Sequence, residues 1–267
     1  LGILPKDKLT EKIAQIRGVK MGEDVISPPR HSAFDGPIGL LQFVAQLREL
    51  SGGKPVGFKL CVGRPDELAA MVIAMVETGI APDFITVDGA EGGTGAAPLT
   101  FSDHVALPLK VGFARVYPIF QEAGLSRDIT WIGSSKLGFP DRTIVGLAMG
   151  MDLVGIAREA MMAIGCIQAQ KCHTGHCPVG VATQSKWLQR GLNVEDKAHR
   201  FALYIKTFRK ELLALGRAAG YEHPQQITSS DIEVCTGVNQ FSTLEETLGY
   251  KSDRLTLGSM AELEPQL

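Results

Sequence analysis

Short apolar segments alternate with helical segments between residues 56 and 164, and this alternation constrains the fold more than any other feature. Short buried strands that alternate with helices indicate βα units and a parallel sheet, so the chain is predicted to be an α/β protein. Ligands of such folds bind at the carboxyl ends of the strands. Strands are predicted at 56–62, 84–87, 129–132 and 153–156, and helices at 65–78, 109–123, 141–149 and 158–164.

The segments on either side have a different character. A short helix with Thr10 as its N-cap and a helix over 38–50 that ends at Gly52 come first. A long charged helix is predicted over 194–215, followed by a short linker with a strand or turn and a polar tail. We therefore expect one domain over residues 1–215 and a C-terminal extension over 216–267.

Composition excludes several classes of protein. With 267 residues, 45% hydrophobic and 21% charged, the chain has the content of a globular protein. A net charge of −2 predicts no nucleic-acid partner, and the longest apolar runs are too short to predict a membrane span. Five cysteines and no secretory signal favour a reducing, cytoplasmic location. Because the first residue is Leu, we also expect further residues upstream.

Three cysteines lie in one short segment, GCIQAQKCHTGHCPVGVATQ, with the spacing C-x5-C-x4-C. Cys166, Cys172 and Cys177 form a thiolate set that suits an iron–sulfur cluster with one vacant corner. Zinc is a second interpretation, with His173 or His176 as the fourth ligand, although the spacing is not typical of zinc sites. Three reduced thiols in a loop are a third, and the spacing alone leaves all three open.

Polar residues follow the predicted strands. Lys59 lies in an apolar strand, where it could face a flavin or a substrate carboxylate, or extend to solvent from an edge strand. The turn DGAEGGTG at 88–95 brings backbone amides close to a ligand or is a simple tight turn, and Glu91 could orient a substrate amine. Ser134, Ser135, Lys136 and Arg158 follow the last two strands, where barrels commonly bind phosphate.

Five segments together resemble the FMN-binding synthase domain of glutamate synthase, and more closely the glutamate-synthase-related proteins. They are LPKDKLTEKIAQIR, ISPPRH, GFKL, VDGAEGGTGAAPL and the cysteine segment, and the resemblance spans about residues 3–215. It implies a 3Fe–4S cluster on Cys166, Cys172 and Cys177, with Lys59 near the flavin. It also implies that FMN is bound by Gly92, Gly93, Gly133, Ser134, Ser135, Lys136, Gly138, Ala157 and Arg158.

The resemblance implies a fold and an activity as well. The fold is the C-terminal part of an FMN-binding (β/α)8 TIM barrel that begins near the fourth strand, with an iron–sulfur loop after the last strand and a helical C-terminal tail. Electrons from ferredoxin or a reductase subunit would pass through the cluster to FMN, which reduces an imine of the 2-iminoglutarate type to an amino acid. Lys59 would stabilise the reduced flavin, and Glu91 with the glycine turn would seat the amino-acid or 2-oxo-acid substrate.

The chain departs from the glutamate synthase pattern in ways that leave alternatives. The family usually has Asp-Gly-Gly where this chain has Gly133-Ser134-Ser135, and a His-Asp pair where this chain has Ala90-Glu91. No segment resembles a glutaminase domain, so a separate glutaminase-like subunit is a possible partner. The alternatives are an amine-using relative of the N-methylglutamate synthase type and a non-catalytic, cluster-binding electron-transfer fragment. A zinc-stabilised binding domain is a further alternative.

Overall fold

The computed structural model describes residues 2–93, 95, 97 and 100–254. The chain divides into two compact units, each made of three segments. The first unit consists of residues 1–31, 91–105 and 157–206, and the second of residues 32–90, 106–156 and 207–267.

The four predicted strands and four predicted helices between residues 56 and 164 are present in the predicted order. The strands are β1 (Ile3–Leu4), β2 (Val25–Ile26), β3 (Gly57–Cys61), β4 (Phe84–Asp88), β5 (Thr130–Ser134), β6 (Leu153–Gly155), β7 (Glu233–Gly237) and β8 (Gln240–Thr243). The helices are α1 (Glu11–Arg17), α2 (Gly36–Leu50), α3 (Pro65–Thr78), α4 (Leu109–Glu122), α5 (Pro140–Ala148), α6 (Arg158–Ala163), α7 (Lys186–Gln189), α8 (Val194–Ala218) and α9 (Leu244–Leu248).

The second unit is built on a parallel sheet with the strand order β3-β4-β5-β6. One face of this sheet is its core face, where Ile85 and Trp131 are buried. Aromatic side chains of α4 pack on it, and Trp131 makes edge contacts with Phe113 and Phe120 at centroid distances of 5.9 and 5.0 Å. The α/β fold and its parallel sheet are therefore confirmed.

The opposite face of the same sheet is much less covered. In register across the strands, Lys59 lies beside Thr86, which lies beside Ile132, which lies beside Leu153. Lys59 and Leu153 are exposed, with Leu153 at 55%. The four described strands leave β3 and β6 as the outer strands of the sheet, and they do not close a barrel.

Two aspartates fix the amino ends of these strands in the same way. Asp83 donates its backbone N–H to the Val56 carbonyl and accepts the Val56 N–H on its carboxylate at 2.7 Å. Asp152 does the same with Trp131, accepting its N–H at 2.8 Å. Each aspartate thus continues the ladder by one residue through its side chain, and we call this arrangement the strand-start clasp.

Each clasp also has an arginine from another element. Arg48 of α2 donates through Nε and Nη2 to the Asp83 carboxylate at 3.0 and 2.9 Å. Arg254 of the C-terminal extension donates to the Met151 carbonyl at 2.7 Å, and its charge acts on Asp152. The extension therefore supplies at β6 the cation that a helix supplies at β4.

The C-terminal extension is only partly helical. The predicted long helix is confirmed as α8, but an antiparallel hairpin of β7 and β8 follows it, where a single strand or turn was expected. The following residues pack on the second unit, with Tyr250 donating to the Met149 carbonyl and Asp253 accepting from Tyr117 and Ser126. The prediction of a helical tail was thus incomplete.

The first unit contains α1, which begins at the predicted N-cap, since Thr10 accepts the Ile13 N–H at 3.3 Å. It also contains the antiparallel pair of β1 and β2, the glycine-turn segment, the cysteine segment, α6, α7 and the first half of α8. Among the described residues of both units, no helix combines the length and apolar character that crossing a membrane requires.

Candidate functional site

The predicted flavin residues are divided between the two units. In the second unit, Lys59 extends from the less covered sheet face, with its side chain 62% exposed, and pairs with Asp88 at 2.9 Å. Asp88 ends β4 and lies beside Ser134, the last residue of β5. The strand lysine is therefore a solvent-accessible cation with a carboxylate partner at the carboxyl end of the sheet. The sequence analysis did not anticipate that partner.

The segment after β5 carries the predicted phosphate donors. Gly133 packs against the core, because a Cβ on it would lie 2.1 Å from the Met151 sulfur. A larger residue does not fit at this position, and a ligand could contact Gly133 only through its backbone. Ser134 accepts the Gly89 N–H on its carbonyl at 3.0 Å, and Ser135 and Lys136 follow it. Lys136 has a left-handed backbone with a φ of 47°, and Gly138 is buried.

In the first unit, the glycine turn is held by the residues that follow it. Asp103 donates its N–H to the Gly92 carbonyl at 3.3 Å, and the buried Ser102 hydroxyl donates to the Gly93 carbonyl at 2.6 Å. Glu91 is half-buried at the start of this turn. Thr94, within the predicted 88–95 turn, lies outside the described residues.

Arg158 begins α6 and is paired with Asp103, with 3.1 Å between Nη2 and Oδ2. Its Nε is buried and has no hydrogen-bond partner in the described part of the chain. An unpartnered buried guanidinium donor is costly unless a ligand accepts from it, so Arg158 fits the phosphate role predicted for it. The preceding Ala157 is exposed. Asp103 was missed because nothing in the sequence connects it to a residue 55 positions away.

Two of the three cysteine sulfurs receive N–H groups. Cys166 accepts from the backbone N–H and the side-chain amide of Gln168, both at 3.4 Å. Burial raises the pKa of the Cys177 thiol, but the backbone N–H groups of residues 179–182 outweigh it, so the pKa is lowered overall. Hydrogen bonds to sulfur are a means by which proteins tune iron–sulfur centres, so these thiols suit a soft metal.

Cys172 is buried, and Lys8 donates to its carbonyl. The Nδ1 atom of His173 is buried without a hydrogen-bond partner among the described residues. Within that described part, no three His, Cys, Asp or Glu side chains are grouped closely enough to hold a metal ion. The chemistry of the donors fits a cluster, whereas their assembly around one remains a prediction.

Comparison with known proteins places these features in a family. Residues 2–222 match the family model described as the conserved region in glutamate synthase. The chain belongs to the glutamate synthase family. The resemblance predicted from the five sequence segments is therefore confirmed.

The relatives of this glutamate synthase family chain are longer proteins. It is 43% identical over 217 residues to the glutamate synthase large subunit-like protein YerD of Bacillus subtilis, covering 81% of this chain and 41% of the relative. It is 36% identical over 252 residues to the archaeal glutamate synthase [NADPH] of Methanocaldococcus jannaschii, covering 94% and 48%. It is 32% identical over 217 residues to the ferredoxin-dependent glutamate synthase of Antithamnion sp., covering 80% and 14%. The chain thus spans less than half the length of each of these relatives.

Proposed function

We propose that the chain is part of a glutamate synthase-type oxidoreductase, to which it contributes the cluster cysteines and part of the FMN site. The match over residues 2–222 carries this proposal, together with relatives that are named glutamate synthases. FMN, when bound, supplies the hydride that reduces an imine such as 2-iminoglutarate to an amino acid.

The residues of the chain supply charge and orientation for that reaction. Lys59 of β3 places a positive charge beside Asp88, the last residue of β4, and stabilises the negative charge that reduction adds to a flavin there. The buried Nε of Arg158 donates to the flavin phosphate. In the second unit, Ser134, Ser135 and Lys136 are proposed as phosphate donors, and in the first unit Glu91 is proposed to orient the substrate amine.

Cys166, Cys172 and Cys177 hold a 3Fe–4S cluster in this proposal, and the cluster supplies one-electron transfer. The N–H groups directed at Cys166 and Cys177 support the thiolate forms that bind iron. Relatives are named for two different electron donors, NADPH and ferredoxin. We propose ferredoxin or a reductase subunit as the donor here, and a separate glutaminase-like subunit as a source of ammonia.

The remainder of the barrel is proposed to come from strands outside these 267 residues. The partly covered sheet face and the outer strands β3 and β6 support this, because exposed apolar residues and unpaired strand edges are normally covered in a native protein. The proposed division is a synthase domain over 1–215 and an extension over 216–267.

The test is anaerobic purification of the full-length protein, followed by quantitation of iron, sulfide, zinc and flavin and by EPR of the oxidised form. We expect iron and sulfide in the ratio of a 3Fe–4S cluster and one FMN per chain. Reductive amination of 2-oxoglutarate with ammonia would identify a glutamate synthase, and a preference for methylamine would identify the amine-using relative. A cluster without flavin would indicate an electron-transfer fragment, and zinc without iron or flavin would refute the proposal.

A further inference from the structure

The short helix α7 presents a tryptophan to solvent beside two cations. Trp187 is 72% exposed, and the Arg190 guanidinium lies over its ring at 5.2 Å from the centroid. Lys186 precedes it and is also exposed. We call Lys186, Trp187 and Arg190 the α7 surface. Tryptophan and arginine are the residues most enriched among those that dominate binding energy at protein interfaces.

The sequence around the α7 surface has a strongly biased charge. No residue from 160 to 194 is Asp or Glu, although the whole chain has 29 acidic and 27 basic residues. The same stretch contains Lys171, Lys186 and Arg190, and it includes all three clustered cysteines. This local excess of basic residues favours an acidic partner over a basic one.

The helix α7 packs against the segment that leaves Cys177. Gly180 has a φ of 79°, and a Cβ on it would lie 2.5 Å from the Leu188 carbonyl oxygen of α7. Gln189 of α7 donates to the Thr183 carbonyl at 2.9 Å, and the Gly180 N–H donates to the Cys177 carbonyl at 3.2 Å. A protein bound at α7 would therefore contact an element that packs on the segment leaving Cys177.

We propose that the α7 surface is the docking site of a small acidic electron-carrier protein. This inference rests on the proposed function, since it requires the cysteine segment to exchange electrons with a partner. Charge complementarity selects the partner, Trp187 provides the apolar contact, and the close packing of α7 on the cysteine segment keeps the transfer distance short.

The experiment measures binding of a plant-type [2Fe–2S] ferredoxin to the full-length protein by titration calorimetry and stopped flow, at low and at physiological ionic strength. Trp187→Ala is expected to weaken binding by about 30-fold, the factor typical of a dominant interface residue. The double variant Lys186→Glu/Arg190→Glu is expected to slow association and to reverse the effect of salt. Phe241→Ala and Lys54→Glu, at exposed positions of the second unit, are matched controls that leave binding unchanged.

The outcomes separate this inference from the proposed function. Unchanged ferredoxin affinity in a folded Trp187→Ala variant overturns the inference, as does binding of the basic carrier cytochrome c in place of ferredoxin. Self-association or vesicle binding that the same variants abolish would assign the surface to a second copy or to a membrane and would overturn it as well. If ferredoxin binds through α7 but the protein contains no flavin or cluster, the proposed function fails, and the surface is assigned to an acidic protein that exchanges no electrons with the chain. Turnover with dithionite as reductant should be equal in wild type and variants.

Discussion

The two strand-start clasps provide a matched test of how burial and neighbouring charge set the pKa of an aspartate. The pKa of Asp83 is raised by burial, but the Val56 N–H and the Arg48 guanidinium outweigh this and lower it overall. The pKa of Asp152 is raised, because its greater burial outweighs the Trp131 N–H and the charge of Arg254. Replacing each aspartate by asparagine keeps an oxygen acceptor for the strand N–H and removes only the charge.

The signs of the two pH effects are opposite. Asp83, with its lowered pKa, stabilises the folded state above its unfolded pKa, and this contribution is lost as pH falls through the folded pKa. Asp152, with its raised pKa, contributes stability below its unfolded pKa that is lost as pH rises through the folded pKa. The free energy of unfolding of wild type should therefore exceed that of Asp83→Asn by an amount that grows as pH rises. Its excess over that of Asp152→Asn should shrink as pH rises.

The size of the Asp83 effect follows from its contacts. Hydrogen bonds to a charged group contribute about 1.5–3 kcal/mol when they are well buried. The Asp83 and Arg48 side chains are 38% and 32% exposed, so solvent screens their interaction. We therefore expect Asp83→Asn to lower the free energy of unfolding by about 1 kcal/mol at neutral pH. As pH falls through the lowered pKa of Asp83 in the folded state, the difference in the free energy of unfolding from wild type should approach zero.

The assay is urea unfolding followed by the fluorescence of the buried Trp131, measured at steps between about pH 3 and pH 7. Asp66→Asn is the control, because Asp66 pairs with Arg64 on the surface and should leave the midpoint unchanged. Parallel pH profiles for Asp83→Asn and Asp152→Asn would refute the reasoning, since they would show that burial does not distinguish the two clasps.

Three further predictions concern single contacts. Asp253→Ala should lower the free energy of unfolding, measured by urea titration, by about 1–3 kcal/mol, because the buried Tyr117 hydroxyl loses its acceptor. Adding Tyr117→Phe to this variant should recover part of the lost free energy of unfolding, because the hydroxyl is then absent. Gly180→Ala should destabilise the first unit and raise amide exchange in α7, since its φ of 79° and the nearby Leu188 carbonyl leave no room for a methyl group; unchanged exchange would contradict the packing. Cys177→Ser should abolish the EPR signal and most of the bound iron of the anaerobically purified protein, whereas Cys235→Ser should retain both.

The helices and strands of the sheet were predictable because their signal is local. Apolar periodicity and glycine or proline at the ends located α3 and α6 to within a residue. Pro118 lies inside α4, which continues through it as one helix. The β7–β8 hairpin was missed, because its Gly-Val-Asn turn is flanked by polar residues that give weak strand patterns.

The candidate site was predictable only in part. Residue type and position relative to the strands identified Lys59 and Arg158, but their partners Asp88 and Asp103 are 29 and 55 positions away in the sequence. Pairing at such separations is decided by tertiary packing, which one sequence does not reveal. The geometry of the three cysteines likewise depends on backbone turns, including the left-handed Gln168 and Gln170.

The strand-start clasps have a consequence for how this sheet can change over generations. They lie at the amino ends of the strands, whereas Asp88, which pairs with Lys59, and the residues after β5 lie at the carboxyl ends. Substitutions among the residues at one end therefore leave the anchoring contacts at the other end intact. A lineage can then exchange loops and acquire new chemistry without first accumulating compensating mutations in the sheet.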